Sequence, residues 1–357
     1  MRMNEQGADA ESRAGLVVVE SEPFNAETPL AELAEPLTPT RLFYVRNHFD
    51  VPRLSPRSWR LVVEGLVSRR VEVGLDEIQA LPRRTLAVTL ECAGNGRAFM
   101  SPAVPGTAWR HGAVATAEFT GAPLAALLER VQPSPEATEV VFTGADSGRV
   151  GEGRLVAFER SLPLVVARHE DILLVWEMNG EPLTPDHGAP VRLIVPGWYG
   201  VASVKWLERI ELTQEPFRGY YQVEKYVYAE APERVTTPVT RMLVRSVIAR
   251  PLEGERLRAG RVEIAGMAWS GAGPVERVDV STDGGMSWRE AELGVGISPY
   301  SASPWRLRWD EAQAGPATLL ARASDVTGAT QPLEPSWNLH GYGNNAVQAV
   351  RVTVADE

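Results

Sequence analysis

Residues 85–97 read Thr-Leu-Ala-Val-Thr-Leu-Glu-Cys-Ala-Gly-Asn-Gly-Arg. The first seven carry the apolar and β-branched residues of a strand, and the glycines that follow end it. A strand entering a glycine loop without G-x-G-x-x-G argues against a dinucleotide-binding unit. Similar short bursts recur at 59–67, 140–143, 172–177, 191–195 and 201–207. One segment has helical spacing, with apolar residues at Leu124, Leu127, Leu128 and Val131. Regular βαβ alternation is missing, so this half reads as α+β.

Beyond residue 240 the pattern becomes consistently β. Segments 261–265, 275–280, 317–323 and 349–354 alternate or run apolar, and Asp283-Gly-Gly285 suits a hairpin turn needing positive φ. About seven short strands in roughly 110 residues fit a β-sandwich of immunoglobulin type. The polar, Pro- and Thr-rich stretch 229–240 is the linker candidate. The expected division is a loose tail over 1–35, a catalytic domain over 36–235 and the sandwich over 236–357.

Composition narrows the function. A chain of 357 residues, 44 % hydrophobic and 23 % charged, has the balance of a globular protein with two domains. Net charge −10 disfavours nucleic acid, which needs Lys and Arg against phosphates, yet permits a local basic pocket. No apolar stretch is long enough to span a bilayer, and the start lacks the apolar core of a secretory signal, so a cytoplasmic location is expected. The single cysteine, Cys92, excludes an intrachain disulfide and any Cys-rich metal cage.

Cys92 reads either as a thiolate facing a cleft, with loop N–H groups beside it, or as a small buried hydrophobe. None of the five histidines stands at a known Cys–His spacing. Arg46-Asn47-His48, Arg97, Arg192 and Lys205 lie in loop-like text, and Arg306 and Arg308 flank Leu307. Guanidinium forks suit oxyanions; the plainer reading of each is solvated surface charge. Trp305 and Trp309 around Arg306 suggest a site that excludes water. His48 and His187 are either structural or anion-binding, and 338–345 reads as a tight-turn loop.

Taken together, Arg46-Asn47-His48, Val51-Pro52, Cys92-Ala-Gly-Asn95 and Arg97 resemble the sulfite oxidase family of molybdenum enzymes. The later blocks Trp176-Glu-Met-Asn-Gly-Glu, His187-Gly188, Arg192, Val195-Pro-Gly197 and Ser203-Val-Lys205 continue the resemblance in order. So do Gly266-Met-Ala-Trp269, Asp283-Gly-Gly285 and Asn344-Asn345, which look like that family's dimerisation domain. The resemblance implies a molybdenum-molybdopterin cofactor with Cys92 as the thiolate on the metal; no C-x-x-C-H motif occurs, so no haem is expected. It implies that Asn47, His48, His187, Arg192, Ser203 and Lys205 hold the pterin and its phosphate. Arg46, Arg97 and Arg306 would form the oxyanion pocket, with Arg308 as the substitute for Arg306. Trp176 falls where the family usually has a tyrosine, Phe119 where it often has a tryptophan, and Ala202 where it usually has an arginine. The implied reaction is oxidation of sulfite to sulfate by a homodimer, with electrons leaving to a cytochrome c or dioxygen. The alternatives are oxo transfer from nitrate or an S-oxide, and a non-catalytic module in which Cys92 is merely buried.

Overall fold

The strand expected before Cys92 forms as Arg84–Glu91 and pairs antiparallel with Val114–Pro123, from Arg84 opposite Gly121 to Glu91 opposite Val114. The computed structural model describes residues 13–231 and 236–356. Strands dominate it, with few and short helices, so the mixed α+β architecture expected is weighted heavily toward β. In the N-terminal half one sheet runs Glu181–Pro182, Leu173–Met178, Val114–Pro123, Arg84–Glu91, with Arg192–Ile194 also on Leu173–Met178. The other runs Val71–Val73, Leu61–Gly65, Leu207–Thr213, Glu139–Val150, Arg154–Pro163, and joins Leu61–Gly65 to Leu207–Thr213 in parallel. The helix Leu124–Val131 buries the four apolar residues its spacing marks.

Strand alternation divides the interior around the first sheet. Leu173 and Val175 face a cluster that contains Phe43, Tyr44 and Cys92, whereas Leu174 and Trp176 face the larger core with Leu193 and Val195. Trp176 is therefore a core residue on the side of the strand away from the thiol. Phe119 is fully buried and packs edge-on against Phe43.

The described part of the expected tail, residues 13–35, is folded into the protein. Val17–Glu20 and Asn25–Glu27 form a hairpin, and Ala26 exchanges backbone hydrogen bonds with Val45. Asn25 is buried, and its Oδ1 accepts the Asn47 N–H at 2.7 Å. These long-range partners order a segment whose own sequence is polar and unpatterned. Residues 1–12 lie outside the described residues.

In the C-terminal half two sheets face one core. Arg245–Arg250, Gly260–Trp269, Ser303–Ala312 and Glu292–Leu293 make one. Arg256–Arg258, Ala349–Ala355, Gly315–Asp325, Val275–Ser281 and Arg289–Glu290 make the other. Ile264, Trp305 and Leu307 meet Val278, Leu319, Ala321 and Val352 between them. Gly284 and Gly285 take the positive φ expected of the 283–285 turn, at 72° and 97°. Among the described residues no helix is long and apolar enough to cross a membrane.

Candidate active site

Cys92 leaves the strand Arg84–Glu91 and enters a chain of tight turns. Its N–H donates to Ala113 O at 2.9 Å, and Asn95 N–H and Arg97 N–H return to Cys92 O and Gly94 O at 2.8 and 2.9 Å. Both domains grip this loop. The Glu91 carboxylate, wholly buried, accepts from Arg245 Nη1 at 2.7 Å, Trp269 Nε1 at 2.9 Å and Asn95 Nδ2 at 3.0 Å. Asn344 Nδ2 donates to Gly96 O at 2.8 Å, and Gly343 N–H to Ala93 O at 2.8 Å. Burial pushes the Cys92 thiol up, while Arg46 and Arg97 pull it down.

Two cavities meet at Cys92 and share Arg46, His48 and Tyr226 as walls. The inner cavity is lined by Asp146, His187, Arg192, Ser203 and Lys205 among others. Arg192 donates to His187 O at 3.0 Å and Ser203 O at 3.2 Å, and Ser203 Oγ accepts Val195 N–H at 3.0 Å. Lys205 Nζ reaches Asn47 Oδ1, and Asp186 O at 2.8 Å. Burial, and then Arg192, draw the Lys205 ammonium well below its usual range, and burial holds His187 neutral at about 4. Two buried polar atoms of this cavity's walls have no protein partner: Asp146 Oδ1 and Arg192 Nε. Leaving such atoms unmet costs about 1–3 kcal/mol each, so the donor set fits a polar organic ligand with both N–H and acceptor groups. Molybdopterin is such a ligand. No group of three His, Cys, Asp or Glu among the described residues could hold a metal, so a metal on Cys92 would take its other donors from that ligand.

The outer cavity, about 220 Å³, carries Arg46, Arg97, Lys225 and His340 and, among the described residues, no carboxylate. Arg97 is built in: Nε donates to His340 O and Nη1 to Thr107 O, both at 3.0 Å. Its guanidinium lies over the Tyr342 ring at 4.9 Å. A Cβ on Gly94 would come within 2.6 Å of that guanidinium, so a side chain there would push Arg97 out of its present position. Tyr226 Oη lies 2.7 Å from His48 Nε2, and its ring stacks on Tyr342 at 4.8 Å. Burial keeps the Tyr226 phenol protonated and His48 neutral, the latter helped by the Arg46 charge. Tyr226 adopts φ 54°, unusual for a residue with a side chain and frequent where geometry serves function.

Of the residues singled out from sequence, Cys92, Arg46, Arg97, His48, His187, Arg192, Ser203 and Lys205 line these cavities. Asn47 stands behind them and holds Lys205. Two do not arrive. Trp176 lies in the core, and the tyrosines that line the cavities with Cys92 include Tyr44, Tyr226 and Tyr342. Arg306 is 59 % exposed and pairs through two bonds with Glu292, at 2.7 and 3.0 Å. Alternation turns Trp305 and Leu307 inward and Arg306 and Arg308 to solvent, so neither arginine is shielded. The second domain instead contributes His340 and Tyr342 from the loop 338–345. Asn338 closes that loop through both bonds to Tyr342, the local Asn-to-backbone pattern expected of it. Sequence reading missed Asp146, Tyr226, Lys225, His340 and Tyr342. One signal was present: half of the chain's 8 tyrosines fall within 220–228.

Family models match the two halves separately. An oxidoreductase molybdopterin binding domain covers residues 48–221, and a Mo-co oxidoreductase dimerisation domain covers 236–355. The mitochondrial sulfite oxidase of Rattus norvegicus is 38% identical over 93% of this chain, which spans 64% of that relative's length. The sulfite oxidase of Arabidopsis thaliana is 34% identical over 93% of the chain and 92% of its own length. Among solved structures, the sulfane dehydrogenase SoxCD of Paracoccus pantotrophus superposes with a TM-score of 0.82. That match has 29% identity and covers 94% of this chain and 87% of the other. The chain belongs to the sulfite oxidase family of molybdopterin oxidoreductases.

Proposed function

We propose that this chain oxidises sulfite to sulfate at a molybdopterin seated beside Cys92, and passes the electrons singly to an external acceptor such as a cytochrome c or dioxygen. The observation that carries the reading is the meeting of two unlike cavities at one sulfur atom. When bound, the cofactor would supply a redox metal that delivers oxygen to sulfur and takes up two electrons. Cys92 would ligate that metal. Asp146 Oδ1 would accept from the N–H edge of the pterin, and His48, His187, Arg192, Ser203 and Lys205 would line its body and phosphate.

The remaining work belongs to the outer cavity. Arg46 and Arg97 attract the dianion and orient its oxygens, and Lys225 adds charge near them. Tyr226 holds a proton at Oη, 2.7 Å from a neutral imidazole, and can donate it to an anionic oxygen. We assign the catalytic unit to the chain up to residue 235. We read 236–357 as an immunoglobulin-like unit that pairs two copies.

Molybdenum analysis of the purified protein, run beside sulfite oxidation with ferricyanide, tests the proposal. Molybdenum at about one per chain together with turnover is the expected result. Protein loaded with molybdenum yet inert toward sulfite would overturn it.

A further inference from the structure

We propose that the outer cavity accepts organic sulfinates, R–SO2−, and that the chain oxidises them to sulfonates at the same site; this rests on the molybdopterin reading above. Sulfite fills roughly 60 Å³, the room of about two waters, whereas the cavity offers about 220 Å³. Its lining is mixed: Arg46 and Arg97 supply charge felt at Cys92, and Tyr220, Tyr221, Val150 and Pro105 add aromatic and aliphatic surface to the same walls. A small inorganic anion makes no use of tyrosine faces and aliphatic side chains.

A sulfinate is sulfite with one oxygen replaced by carbon. It keeps the pyramidal sulfur, the lone pair and two anionic oxygens. Two guanidiniums can hold those oxygens as they would hold two of sulfite's, and the carbon substituent then lies against the tyrosine walls. The reaction balances as R–SO2− + H2O → R–SO3− + 2 H+ + 2 e−. The sulfur lone pair becomes the new S–O bond, sulfur is oxidised by two electrons, and water supplies the oxygen and both protons. No bond to carbon breaks. The electrons pass through the bound cofactor to a one-electron oxidant, ferricyanide in the test.

The probes are benzenesulfinate and its product benzenesulfonate, used on the molybdenum-loaded protein. The expected results are formation of benzenesulfonate with ferricyanide consumed two to one, and calorimetric binding of benzenesulfonate about tenfold or more tighter than sulfate. Val150→Trp, which fills the outer cavity, is expected to lower the ratio of kcat/KM for benzenesulfinate to that for sulfite by about tenfold. Should that variant fail to fold, Tyr220→Ala tests the same wall, with loss of the binding preference for benzenesulfonate over sulfate. Oxidation of sulfite with neither turnover of benzenesulfinate nor competition from it overturns this inference alone. An unaltered ratio in a folded Val150→Trp protein also overturns it, by removing the cavity from the explanation. Loaded protein that oxidises neither compound overturns the underlying reading as well.

Discussion

The loop 93–99 and the strand Ser303–Ala312 each offer an arginine in suggestive company, and only the loop delivers it to the cavity. Arg97 lies in a slot between glycines, 8 % exposed, with two backbone carbonyls fixing its guanidinium. Arg306 stands on a regular strand, where a period of two turns every second side chain to solvent. Its aromatic neighbours at 305 and 309 are adjacent in sequence without enclosing it. Proximity along the chain makes a site in an irregular loop and dissolves one in a strand, because the strand fixes which face each residue takes.

The largest expected effect belongs to the loop. Cys92→Ser should abolish sulfite oxidation by ferricyanide while circular dichroism stays that of the parent; retained turnover would remove the thiolate from the reaction. Tyr226→Phe should come next, with kcat down about 10²-fold through loss of the proton at Oη, and Trp176→Phe is the contrasting variant, expected to act on melting temperature instead. Steady-state kinetics and thermal melts on the two proteins decide between them.

Arg97→Gln should raise KM for sulfite about 10- to 100-fold, the weight of a charged hydrogen bond at roughly 1.5–3 kcal/mol. Arg306→Gln should leave KM within about twofold, since its solvent-exposed pair with Glu292 lies outside the cavity lining. Equal effects from the two would end the distinction between loop and strand. Rising salt should lift KM in the parent and lift it less in Arg97→Gln, where one attracting charge is gone.

Arg245→Met probes the grip of the second domain. It strands the buried Glu91 carboxylate, at a cost of about 3–5 kcal/mol near pH 7. Burial already raises the Glu91 carboxyl, and removal of Arg245 raises it further, so the folded variant binds a proton more readily than the unfolded chain. The deficit is therefore full above that raised value and shrinks as pH falls toward the unfolded carboxyl range, about 4.3. Urea melts at several pH values measure it; a deficit constant with pH would mean that Glu91 does not carry the charge.

Much of this was legible in the chain. Val140–Thr143 and Leu173–Trp176 announce strands by composition, and Leu124–Val131 announces its helix by spacing. Cys92, Arg46, Arg97, His48 and His187 announce a site by standing in ordered motifs. The folded state of residues 13–35 was not legible, because Asn25 and Glu27 are ordered by distant partners. Tyr226 was not legible as a wall of Cys92's cavities either, since 134 residues separate them in the chain.

What the sequence determined by itself is whatever depends on neighbours: strand periodicity, glycine turns, one thiol, and the residue types able to meet an anion. Which of those residues meet was decided only in three dimensions. The face a side chain takes depends on register and on strand bulges, and a cavity wall is assembled from loops far apart in the chain. For that reason Trp176 and Arg306 stand away from the cavities, and Tyr226, His340 and Tyr342 line them.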